Sequence, residues 1–188
     1  TFEDVSKETG TSDYSTSMGV ATGDLDNDGY PEIYIANMFS KMGRRIIAQV
    51  GKQDYPGTVY DQIKGSCAGN RLYRRTEDNQ PWQELSAEMG INRVGWAYSP
   101  AMFDLDGDGW QDLIFGHGFV FRNEEGQRFT DVTSKSNLRS VAQLRKVHHH
   151  STVCVADFDR DGRIDLYFNR SSDKPAEGGG AFLPQVRG

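Results

Sequence analysis

Twelve carboxylates recur in three short runs: Asp24, Asp26, Asp28 and Glu32; Asp104, Asp106, Asp108 and Asp112; Asp157, Asp159, Asp161 and Asp165. Each run places them at relative positions 1, 3, 5 and 9. Oxygens at this spacing can close around one hard cation, and calcium favours several carboxylate and carbonyl ligands at once. Gly29, Gly109 and Gly162 follow the third carboxylate, where a sharp turn lets the backbone wrap an ion. Position 7, occupied by Tyr30, Trp110 or Arg163, would donate its backbone carbonyl, so its side chain is free to vary. Three calcium ions are therefore expected. Magnesium suits the pattern less well, because it takes fewer ligands and keeps more water. The plain alternative for a single run is a solvated acidic turn; three runs in register argue against it.

The runs are not EF-hands. Such a loop needs a glutamate at position 12 and flanking helices. Here position 12 is Ile35, Phe115 or Phe168, and both flanks read as strands. The same runs explain the charge: twelve of 27 acidic residues lie in them, and three divalent ions would offset the formal charge of −6. That charge disfavours a nucleic-acid partner, which would need a basic face.

The elements that must hold the runs repeat with them. FEDVSKETG from Phe2 matches WQELSAEMG from Trp82 and, more weakly, FTDVTSKSN from Phe129. After the loops, Ile33 and Ile35, Leu113 and Phe115, and Leu166 and Phe168 alternate at period two, as in strands. NRLYRR and FVFRN read as further strands leading to the next marker. The predicted fold is all-β, a partial β-propeller with three calcium-loop repeats within a larger closed propeller or assembly; a β-sandwich is the alternative. The predicted units are residues 1–81 with an insertion at 38–69, then 82–128, then an incomplete third unit at 129–188.

GVATGDLDNDGYPEIYIAN, SPAMFDLDGDGWQDLIFG and TVCVADFDRDGRIDLYFN together resemble the integrin-α-like FG-GAP/VCBS repeat family, including its cartilage-acidic-protein and ASPIC/UnbV-associated members. The resemblance spans most of residues 1–169. It implies structural calcium in loops joining adjacent blade strands, a seven-bladed circle, and a secreted or otherwise extracytoplasmic setting. Glu32 departs from the family's usual terminal aspartate; its longer reach should keep the ligand while changing the geometry.

The 38–69 insertion offers a second kind of chemistry. Met42, Ile46, Ile47 and Val50 can form one side of a short helix, with Arg44, Arg45 and Lys52 nearby, as a covering lid or a ligand contact. His148, His149 and His150 are transition-metal ligands by type, but neighbouring strand residues point apart. Cys67 and Cys154 are either one disulfide or two separate thiols. No stretch of 18 apolar residues suggests direct membrane insertion.

Two functions follow as expectations. The first is a calcium-stabilised scaffold whose loops contact a protein or glycan partner, with further propeller segments or subunits. The alternative is a propeller subunit of an oxidoreductase or hydrolase, with His117, His148 to His150, or Arg44 and Arg45 at a separate site.

Overall fold

The computed structural model describes residues 1–75, 77, 80–95, 97–136, 152–169 and 181–183. His148, His149 and His150 lie outside them. Three antiparallel sheets follow one another along the chain. The first contains β1 (Ser17–Gly23), β2 (Glu32–Asn37), β3 (Arg71–Arg74) and β4 (Gln83–Glu84), hydrogen-bonded in that order. The second contains β5 (Pro100–Phe103), β6 (Asp112–Phe115), β7 (Val120–Asn123) and β8 (Phe129–Asp131), again in order. In the third, β9 (Thr152–Ala156), β10 (Asp165–Asn169) and β11 (Ala181–Leu183) pair in sequence. The architecture is mainly antiparallel β and propeller-like, without closure among the described residues.

The all-β expectation needs one correction. The insertion contains two short helices, α1 (Lys41–Ile47) and α2 (Val59–Gly65). Neither has a buried residue, and Met42 and Ile46 are exposed. The apolar side of α1 therefore does not cover a core. Ser40 starts α1 by accepting the Gly43 N–H at 3.0 Å.

Alternation within the strands explains how the sheets stack. In β6, Leu113 and Phe115 enter a core with Tyr34, Ala36 and Leu72 of the first sheet. Ile114 points the other way and packs with Val153, Leu166 and Phe168 of the third. One strand thus serves two interfaces, because neighbouring side chains leave opposite faces. Pairing of Ile33 with Tyr73 and of Leu113 with Phe121 puts Ile33 and Ile35 in register with Leu113 and Phe115. No preceding sheet lies against that first face among the described residues, so Ile33 and Ile35 remain half-buried while Tyr34 and Ala36 are fully enclosed. The inner strands β1, β5 and β9 lie beside one another in turn.

The sheets and the sequence repeat are out of phase. Gln83–Glu84, beside the Trp82 marker, pair with β3, and the Phe129 marker pairs with Asn123 of β7. Each marker therefore completes the sheet begun upstream. Both cysteines are free thiols: Cys67 is buried and Cys154 exposed, so the disulfide alternative is not realised. No helix among the described residues is long and apolar enough to cross a membrane.

Candidate metal centres

The three acidic runs form the turns β1–β2, β5–β6 and β9–β10, and each is braced by the same bonds. The position-1 carboxylate accepts the position-5 and position-6 N–H groups. Asp24 does so from Asp28 and Gly29 at 3.1 and 3.0 Å, Asp104 from Asp108 and Gly109 at 3.1 and 2.9 Å, and Asp157 from Asp161 and Gly162 at 3.1 and 2.9 Å. The position-5 carboxylate accepts the position-7 N–H: Asp28 from Tyr30, Asp108 from Trp110, Asp161 from Arg163. The position-9 carboxylate reaches back to position 2, where Glu32 accepts from Leu25, Asp112 from Leu105 and Asp165 from Phe158.

Such closure needs left-handed backbone. Gly29, Gly109 and Gly162 have φ of 89, 91 and 83°, values that L side chains adopt only with strain. Position 4 is also left-handed, at Asn27, Gly107 and Arg160. The spacing gave no sign of that second requirement, because three unlike residues fill it.

The closest carboxylate groupings have ligand atoms within 4.8 Å of one another: Asp24, Asp26 and Glu32; Asp104, Asp106 and Asp108; Asp157, Asp159 and Asp165. Each could hold a divalent cation. Asp28, Asp112 and Asp161 stand outside these groupings and accept backbone N–H groups. The buried Asp26 Oδ1 has no hydrogen-bond partner, as expected of an atom reserved for an ion. The donor set is entirely oxygen, which fits calcium's chemistry.

Electrostatics separate the loops. Arg74 of β3 places Nε 3.2 Å from Asp26 and 3.1 Å from Glu32, so the first run has a built-in cation. Sequence spacing did not reveal it: Arg74 arrives through the β2–β3 register. Arg122 holds the equivalent position on β7 but pairs with Glu124. Burial pushes the Asp26 and Glu32 carboxyls upward, and Arg74 opposes the shift in both. Arg74→Gln is expected to tighten calcium binding at the first loop about tenfold by removing a competing charge. Calorimetric titration of the variant checks this; unchanged or weaker affinity would sink it.

Burial also raises the Asp112 carboxyl to about 6, against hydrogen bonds from Asn123 and Leu105 that favour its charge. Between the ordinary carboxylate range and about 6, the metal-free folded chain retains a proton that the unfolded chain has released. This group's contribution to stability therefore falls as pH rises through that window. A divalent ion favours the charged form. The ion-dependent gain in unfolding midpoint should grow from about pH 5 to pH 7. Equal gains at both would count against it.

The first two loops are joined to each other. Asn27 donates to the Gly109 carbonyl at 3.2 Å, and Asn123 donates to the carbonyls of Leu25 and Gln111 at 2.7 and 3.0 Å. Gly126, held at φ 73°, lies so close to Asp26 that a Cβ there would sit 2.7 Å from the Asp26 Cβ. The turn after β7 consequently touches the first loop. Arg75 stacks on the rings of Tyr30 and Trp82, giving that position-7 side chain and that marker a packing role.

Comparison with known families agrees with this geometry: the FG-GAP repeat pattern matches residues 18–60, which contain all of β1 but its first residue, the first loop, β2 and α1. The chain contains an FG-GAP repeat. The chain bearing that FG-GAP repeat is also distantly similar to cartilage acidic protein 1 from Xenopus tropicalis, 23% identical over 202 residues and 81% of this chain. Against the same-named Mus musculus protein it is 23% identical over 171 residues and 88% of this chain. It spans 30% and 23% of the length of those relatives. Of the described residues suggested for a separate catalytic site, His117 and Arg44 do not share a cavity. His117 lies against Phe115 and Phe119, with Nε2 3.3 Å from the Val94 carbonyl. Arg44 lies on a cavity wall that does not include His117.

Proposed function

We propose that the chain is a calcium-stabilised section of a larger β-propeller that serves as an extracytoplasmic scaffold or interaction module. The observation that supports this best is the threefold recurrence of one braced acidic turn between the first two strands of successive sheets. Calcium would supply positive charge that offsets the repulsion of clustered carboxylates, so ion binding and loop folding are coupled. The ligands are Asp24, Asp26, Asp28 and Glu32 with the Tyr30 carbonyl; Asp104, Asp106, Asp108 and Asp112 with the Trp110 carbonyl; and Asp157, Asp159, Asp161 and Asp165 with the Arg163 carbonyl. Glu32 binds directly once Arg74 yields.

The partly open Ile33 and Ile35 face supports continuation of the array, since the equivalent Leu113 and Phe115 face is covered by a sheet. The repeats are residues 1–81 with the 38–69 insertion, 82–128 and 129–188, each one strand out of phase with its sheet. The matched relatives are named for cartilage, which supports the extracytoplasmic placement.

Arrays of secreted proteins and of glycans, probed with this chain, test the role. Binding to a protein or glycan should appear in calcium, vanish on chelation and return when calcium is restored. Binding of equal strength throughout chelation would contradict the calcium-dependent module.

A further inference from the structure

The first acidic turn lies at one end of the first sheet, and a basic cavity lies at the other. The insertion leaves β2 after Asn37 and returns before β3, about 17 Å along β2 from Glu32. Its base is pinned: Asn37 donates its N–H to Asn70 Oδ1 at 2.8 Å and its side-chain amide to the Gly69 carbonyl at 3.0 Å. There, α1, α2 and the segment at 92–93 line an open cavity of about 530 Å³.

Arg44, Lys64, Arg71 and Arg93 line this cavity, against the single carboxylate of Asp61. Asp13 pairs with Arg71 at 2.8 Å, so the formal balance is four positive against two negative, or +2. That sign is opposite to the chain's −6. Arg44, Lys64 and Arg93 are exposed and join no salt bridge among the described residues. Arg71 is held in place by Asp13 and by the Gly69 and Asn70 carbonyls at 3.3 and 3.4 Å. Three unpaired cations around one concavity repel one another, and an anion between them removes that cost.

We propose that this cavity binds an acidic saccharide unit, its sulfate or carboxylate groups held among Arg44, Lys64, Arg71 and Arg93. This rests on the interaction-module reading and assigns it a ligand class. Guanidinium forks match planar carboxylate and sulfate oxygens in pairs. The half-buried Tyr60 offers an aromatic face for a sugar ring, and Asn92 an amide for hydroxyl groups. The volume suits a small molecule more than a folded partner. An extended acidic peptide is disfavoured, because β3 is an interior strand and has no free edge for strand addition.

The test is calorimetric titration of the calcium-loaded chain, at low and moderate salt, with a disulfated uronic-acid disaccharide, its desulfated counterpart and a hexaglutamate peptide. The disulfated sugar should bind one site per chain, more weakly as salt rises, and the desulfated sugar at least about tenfold more weakly. Arg44→Ala with Arg93→Ala should cost about tenfold or more without moving the unfolding midpoint, since both side chains are exposed. Lys64→Glu should weaken binding further. No binding by the unaltered chain, affinity insensitive to these variants, or tighter binding of hexaglutamate would each overturn the proposal. A prior calcium titration of the metal-free chain keeps the readings distinct: loss of calcium binding with sugar binding intact contradicts the scaffold, while the reverse contradicts only the saccharide site.

Discussion

Chelation of divalent cations should lower the unfolding midpoint of this chain by on the order of 20 °C, and calcium should restore it. A site filled at a hundredfold excess over its dissociation constant adds about 2.7 kcal/mol, so three add about 8 kcal/mol. That matches the whole stability of an ordinary domain, about 5–15 kcal/mol. Without an ion, each turn confines several carboxylates in a small space, and burial has already raised the carboxyls of Asp26, Glu32 and Asp112. The second and third loops should account for most of the loss, because Arg74 partly neutralises the first. Differential scanning calorimetry in chelator, calcium and magnesium measures it. A midpoint unchanged by chelator would remove the stabilising role.

The second large effect is expected at the sheet interface. Phe115 is fully buried, edge-on to Tyr34 with ring centroids 5.6 Å apart and to Phe121 at 6.0 Å. Phe115→Ala should destabilise by about 3–5 kcal/mol, from lost apolar burial plus the cavity left behind. Rigid strands on both sides limit collapse of that cavity. Val20, on β1 and 62% exposed, is the contrasting site, where Val20→Ala should change stability by less than about 0.5 kcal/mol. Urea unfolding compares the two; a Phe115→Ala loss as small as that of Val20→Ala would mean that the first two sheets do not depend on this contact.

The acidic turns were legible because their chemistry is local. Carboxylate spacing, the following glycine and the alternating strand all fall within about a dozen neighbouring positions, so a single chain segment specifies the geometry. The strands after the loops were legible for the same reason. Arg74 was not, because it reaches Asp26 and Glu32 through cross-strand register. Nor did alternation alone reveal that Ile33 and Ile35 lie on the more open side of β2 while Tyr34 is buried. Both residue sets suit a strand, and neighbouring sheets decide which is enclosed. The marker segments announced repetition, but their role as the last strand of the preceding sheet depends on pairing with β3 and β7. The first helix of the insertion followed from Met42, Ile46 and Ile47, whereas α2 gave no such signal, and the cavity needs Arg71 and Arg93 from distant segments.

Element-resolved anomalous diffraction from calcium-grown crystals tests the central claim most directly. The expected result is three calcium ions per chain, one each between Asp24 and Glu32, Asp104 and Asp112, and Asp157 and Asp165. Absence of metal from these three turns at saturating calcium would contradict the account.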